Sequence, residues 1–444
     1  MNIPILICIN LFISFVNYSK CVLKIPFESK LCKGNENNDF LSKYYGQYLY
    51  TPIKIGSNNQ KLEVALKLNK YITYLIGSGI SNLKSEFFEE QISKSYEKVN
   101  ENEINSNEDM FIAGIKSTDN FIFGENINFE KYLFYLSKKQ NFDETGQIGL
   151  KMIPSDKAFW GNSFIEQLKE KSLINSHIFY FKYEFEEQEE LKYKGNLILD
   201  GMPHEVEHSN LFKIDNFVKT YAYINEHNSR WTIEIPTVSY GNEIISKSDI
   251  AEFSTTFGLI VGPLSFLDIF YIFFNRTNCY SRYNREDNNY LYFYCEKNVD
   301  ISKFKDIFFT TRNKELNFTL TYKELFKKIG NYYYFLILFN EDINQWELGH
   351  IFLKKYLIVF DGEAKTIGYY YQPNSQKDKN NSKKNNNIFI TVCIIFGIVI
   401  IGLVIYIFYF NSKKNRKIRP NELEENFDYS PSNSEHQQDN KLGV

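Results

Sequence analysis

The chain has 444 residues, with 51 Lys and Arg against 54 Asp and Glu, for a formal net charge of −3. That length gives room for two or three domains and a large core, and the near-neutral charge gives no electrostatic basis for binding nucleic acid. Phe 40 and Tyr 33 fit the core of a β-rich fold, and six Cys with no CxxC pair or Cys/His cluster support neither a metal site nor a cofactor.

From Ile3 to Val16 the chain is apolar, and small and polar residues follow, so residues 1–21 read as a secretory signal that lacks the usual basic start. Ser19 and Cys21 suit a cleavage site there, and cleavage a few residues earlier suits it equally, which leaves a Cys21–Cys32 pairing open. After an N-terminal segment, 22–43, Tyr48 to Gly56 and Lys61 to Leu66 alternate around Gly56-Ser57-Asn58-Asn59, a hairpin signal. Ser85 to Asn107 is charged with little periodicity and reads as a surface insertion. Asn162 offers a helix N-cap, and Phe164, Ile165 and Leu168 give one apolar face up to Lys171. Trp231 to Ile235 alternates as a half-buried strand, and Leu264 to Phe274 predicts an apolar helix after Pro263. Trp346 to Asp361 places two strand-like runs around Gly349, with a turn at Asp361-Gly362.

Beyond Tyr371 the composition changes. Residues 373–387 form a polar stalk, and Ile388 to Phe410 runs 23 residues without a charge, long enough to span a bilayer. Lys413, Lys414, Arg416, Lys417 and Arg419 follow as a cytoplasmic flank would, and 411–444 is a polar, acidic tail with the composition of a disordered segment. Asn275, Asn317 and Asn380 begin glycosylation sequons. Together these predict a single-pass type I membrane protein of the secretory pathway or cell surface.

Several of these stretches resemble the pepsin-like aspartic proteases. Trp346, Leu348, Gly349, Phe352, Lys354, Tyr356, Val359, Phe360 and Asp361 match that family's C-terminal pattern, with His350 where the family has Asp or Asn. Tyr44-Tyr45-Gly46, Ile55-Gly56, Gln60, Leu62 and Val64 resemble the opening of its first lobe, and Asn141 to Leu150 its Phe-Asp-Gly-Ile-Leu-Gly-Leu segment. Ala251 to Pro263 runs without a gap along its second catalytic loop. The resemblance, covering about Tyr44 to Tyr371, implies a mainly β, bilobal fold with a central cleft, plus the one C-terminal transmembrane helix. The lobes would be 44–205 and 206–372, with a flap hairpin in Met110 to Phe123, where Phe111 is the nearest candidate for the usual flap Tyr. Cys295 stands where the family has its last half-cystine, which implies a Cys279–Cys295 bridge in an oxidising compartment. Asp200-Gly201 falls on a turn of the first lobe rather than on a catalytic loop.

The activity does not follow from the resemblance. Such enzymes need two carboxylates sharing one proton, so that one acts as base on water and the other as acid. No Asp-Thr-Gly or Asp-Ser-Gly occurs in the chain. The first catalytic position is Lys67, or Gly77 in a second register that aligns Ser78 to Leu83 instead, and the second position is Ser254. Glu252 and Asp249 lie two and five residues before that loop tip, and a Lys67–Ser254 nucleophilic pair has no visible support. The sequence therefore predicts a catalytically inactive pepsin-fold protein that binds a peptide or protein partner in the interlobe cleft or on the ectodomain surface. The alternatives are a divergent aspartic-type endopeptidase and a structural or adhesive surface protein.

Overall fold

The alternating run at the start of the first lobe folds as its pattern dictates: strands Gln47–Ile55 and Gln60–Lys67 pair antiparallel across the turn at 56–59. This computed structural model describes residues 22–31, 44–78, 86–106, 112–124, 127–137, 145–152, 163–187, 192–207, 209, 212–224, 230–275, 277–284, 290–312 and 317–370. All lie in one compact unit, Met1–Gln372. The expected signal, stalk, membrane span and tail, along with Cys21, Cys32, Phe111, Asn162, the Asn317 side chain and Asn380, lie outside the described residues. Among the described residues no helix is long and apolar enough to cross a membrane.

Among those residues the strands form two sheets, one of 13 strands and one of 11. Within the larger sheet Gln47–Ile55 pairs with both Gln60–Lys67 and Ile112–Phe123. Through strands Gly146–Gly149, Tyr74–Ile76 and Ile127–Ser137 this closes a six-stranded, barrel-like ring. The same sheet continues outward through Leu23–Leu31, Lys192–Leu199, Ile178–Glu187, Val359–Asp361, Thr366–Tyr370 and Phe217–Tyr221. Leu23–Leu31, which sequence reading left as a separate segment, is thus an interior strand with a neighbour on each side. Strands from residues 217–370 also complete the larger sheet, so the two lobes share it.

The aromatic excess goes into the core. Phe274 stacks on Phe293 at 4.2 Å between ring centroids, and Phe270, Phe304, Phe326 and Phe335 pack around the pair. Trp231 and Trp346 are among the largest fully buried side chains. Such rings bury large apolar areas and add edge-to-face attraction.

Three local expectations are corrected. Ser163, not Asn162, caps the helix Phe164–Glu170: its hydroxyl accepts from the Glu166 amide, while the Glu166 carboxylate accepts from the Ser163 amide. The charged stretch before Asn107 contains the strand Glu97–Ser106, which hairpins onto Ile112–Phe123. It is an edge strand, so backbone pairing along one side suffices and its side chains need no apolar alternation. In the C-terminal run, only Trp346–Leu348 and Val359–Asp361 are strands, because His350–Tyr356 is a helix. His350, Ile351, Phe352 and Leu353 are buried there, and Lys354 and Lys355 sit in the last turn, where cations suit the helix dipole.

Cys279 and Cys295 are directly opposed on antiparallel strands Cys279–Asn284 and Tyr290–Glu296 and form a disulfide. Closing a loop of this size restricts the unfolded chain, so replacing both Cys with Ser should lower the unfolding free energy by about 3 kcal/mol, read by denaturant titration. An unchanged midpoint would show that the strand pairing alone holds this hairpin.

Candidate ligand-binding cleft

The site is built by two copies of one strand arrangement. In the first, Gln60–Lys67 runs parallel to Gly146–Gly149, with Ala65 beside Gln147 and Lys67 beside Gly149. In the second, Glu243–Phe253 runs parallel to Trp346–Leu348, with Glu252 beside Glu347 and Phe253 beside Leu348. Each loop then returns to the same place: Tyr74 pairs with Gln147 and Val261 with Glu347, in both cases seven residues beyond the loop tip. Lys67 and Ser254 are therefore equivalent positions. The register that puts Gly77 at the tip is excluded, because Gly77 lies past the returning strand, in a bridge to Phe88.

A single hydroxyl ties the loops together. Thr255 Oγ1 donates to the carbonyl of Leu66 (2.7 Å) and accepts from the amide of Leu68 (3.2 Å). Both bonds are buried, and they bracket Lys67 on its two sides. Leu68, the counterpart of Thr255, carries no hydroxyl, so no side-chain bond of this kind comes from the first loop.

The two tip side chains are engaged locally. The Lys67 ammonium lies 3.4 Å from the centroid of the Tyr48 ring, a cation–π contact. The Ser254 hydroxyl accepts from the Thr256 amide and shares a hydrogen bond of 2.7 Å with the Thr256 hydroxyl. Both residues are nearly out of water, at 5 % and 3 % exposure. Tyr45 stacks on Phe257 of the second loop and hydrogen-bonds hydroxyl to hydroxyl with Tyr290. Asp200 is not part of the site: its carboxylate accepts from Asn175 and Ser176 and holds a turn.

The second loop rests on the helix His350–Tyr356. The His350 amide donates to the Phe257 carbonyl (3.0 Å), and His350 Nε2–H donates to the Thr255 carbonyl (3.0 Å). A Cβ on Gly349 would sit 2.1 Å from the Leu259 carbonyl oxygen, so only glycine permits this approach. His350 is fully buried beside the Tyr183 and Tyr193 rings, and burial pulls its pKa down to about 4. Its Nδ1 has no hydrogen-bond partner among the described residues.

Two carboxyl groups flank the second loop. Glu252 is buried, and one of its oxygens accepts from Arg230 (2.9 Å) and Gln345 (2.8 Å). Glu347 is pushed up to about 7, first by burial and then by the Glu252 carboxylate, against the pull of Arg230. Asp249 sits further back on the strand, opposite Ile235. Neither Glu252 nor Asp249 reaches the tip. Sequence reading weighed Glu252 but missed Glu347, Arg230 and the Thr255 clasp, because only strand register shows that they converge. Among the described residues no group of three or more His, Cys, Asp or Glu could hold a metal ion.

Thr255→Val should cost roughly 2 kcal/mol or more in denaturant titration by stranding a buried amide and carbonyl, while Thr255→Ser should stay near wild type. Equal stability of both variants would show that the clasp is not made. His350 gives a pH signature. Above about pH 6.5 it is neutral in both states; as pH falls the unfolded chain takes up the proton first, and stability drops until about pH 4. Glu347 acts oppositely, its contribution being lost as pH rises from about 4.5 to 7. The wild-type curve minus that of His350→Asn isolates the first effect, roughly 3 kcal/mol over that interval. A flat difference curve would mean that His350 is hydrated.

Comparison with known proteins agrees with this geometry. No curated protein matches the chain. A model of the eukaryotic aspartyl protease family matches residues 47–370, which takes in both loop tips, the flap hairpin, the disulfide and the strands shared by the lobes. The chain belongs to the eukaryotic aspartyl protease family.

Proposed function

We propose that this is a catalytically inactive member of the family, a single-pass type I membrane protein that binds a peptide or protein partner in its cleft on the extracellular or luminal side. The observation that carries the reading is the pair of clasped loop tips with Lys67 and Ser254 at equivalent positions. Hydrolysis in this fold requires two carboxylates that compete for one proton; an amine held against Tyr48 and a hydroxyl bonded to its own loop do not make such a pair. The scaffold around them is intact, however, and open strand edges can hold an extended peptide by backbone hydrogen bonds without any dyad. The strand Glu97–Ser106, at the end of the larger sheet and paired with Ile112–Phe123, is one such edge. Anchoring rests on the uncharged run Ile388 to Phe410 and its basic flank.

A divergent endopeptidase is the second reading, favoured by the raised pKa of Glu347 beside Glu252. Against it, both carboxyl groups belong to one lobe, and Glu252 is already engaged by Arg230 and Gln345.

The full-length chain in detergent micelles, shown to be folded, should hydrolyse no member of a mixed peptide pool between pH 3 and 8. Cleavage abolished by Glu252→Gln or Glu347→Gln, or blocked by a statine-type mimic, would establish the second reading in its place.

A further inference from the structure

Building on the cleft as a peptide site, we propose that its second-lobe wall receives the cationic side chain of a Lys or Arg residue in the ligand, between Glu347 and Glu252.

Residues in register on parallel strands share a face, and alternate residues of a strand return to it. Glu347, Glu252 and Ser254 therefore share one face, as do Gln147, Ala65 and Lys67 in the first lobe. The two carboxyl groups of the second lobe are unevenly served. Glu252 has Arg230 and Gln345, while Glu347 Oε2 is buried and has no hydrogen-bond partner among the described residues. One guanidinium cannot balance two carboxylates, and burial with the Glu252 charge pushes the Glu347 pKa up to about 7. A ligand ammonium or guanidinium would balance the second carboxylate and favour its ionised form.

The surroundings suit such a side chain. The hydroxyls of Tyr45 and Tyr290 lie close enough to feel the Glu347 charge. The groups that face Glu347 are therefore Glu252, Arg230, Tyr45 and Tyr290. Lys67, on the first-lobe tip, excludes a cation from the other side and so fixes which half of the cleft takes the basic residue. An independent feature points to a peptide. Gln147, the counterpart of Glu347 in the first lobe, is 2 % exposed, and its Nε2 has no hydrogen-bond partner among the described residues. It is a donor suited to a backbone carbonyl.

The test uses decapeptide pools, acetylated and amidated, randomised everywhere except at one central residue fixed as Lys, Met or Glu. They are captured on the immobilised full-length chain at pH 8 and pH 5.5 and read by mass spectrometry. Lys peptides should be enriched about 10-fold or more over Met peptides at pH 8. Their affinity should be about 30-fold weaker at pH 5.5, where Glu347 must first give up a proton while the ligand Lys stays charged. Glu347→Gln should abolish both the Lys preference and its pH dependence. Equal capture of Lys and Met pools at both pH values, or a preference that survives Glu347→Gln, would overturn the subsite while the peptide-binding reading stands. Capture of no pool at either pH would remove that reading and the subsite with it.

Discussion

The architecture of the cleft depends on one buried hydroxyl. Thr255 bonds on both sides of Lys67, to the carbonyl before it and to the amide after it, and so fixes the separation and angle of two loops that come from different parts of the chain. A buried backbone group left without a partner is costly, so the clasp is also the reason neither loop can collapse onto its own lobe. Behind it, His350 binds the Thr255 carbonyl and Phe257 binds the His350 amide. The second loop is thus held from the front by the first lobe and from behind by a helix. The clasp requires nothing from the side chains of residues 67 and 254 themselves.

Much of this was legible in the sequence, and the reasons are physical. Strands with one wet face, such as Gln47–Ile55 and Gln60–Lys67, carry strict alternation, because the pleat sends successive side chains to opposite sides. The second loop could be aligned because Leu259, Gly262 and Pro263 are fixed by packing rather than by chemistry; Gly262, for example, lies against the Trp346 ring. What misled was short and largely buried. The helix His350–Tyr356 is rich in aromatic residues and has no polar face long enough to show a 3.6-residue period. The edge strand Glu97–Ser106 has the opposite problem, since pairing on one side alone leaves no apolar signature. Lys67 against Gly77 could be decided only by strand register, which relates residues more than 70 positions apart.

The carboxylates tell a similar story at the level of charge. Glu252 and Glu347 are 95 positions apart and each, read alone, is an ordinary surface residue of a polar chain. Parallel pairing makes them neighbours, and their surroundings make them unequal: one is engaged by Arg230, while burial drives the other toward neutrality. Aromatic residues organise the opposite side, where Tyr48 meets the Lys67 ammonium and Tyr45 stacks on Phe257. The floor that results is polar and asymmetric across a nearly symmetric scaffold.

The placement of Leu23–Leu31 bears on how the protein is made. This strand lies between Gln47–Ile55 and Lys192–Leu199, and the same sheet takes in Val359–Asp361 and Thr366–Tyr370. One side of this early strand therefore waits for a partner synthesised much later, and the sheet is completed only when residues near 370 have been made. Such sequence-distant pairing makes folding slow and exposes unpaired edges meanwhile. The protein is a late-committing folder, and the order of its strands leaves edges open to mispairing until the last of them is in place.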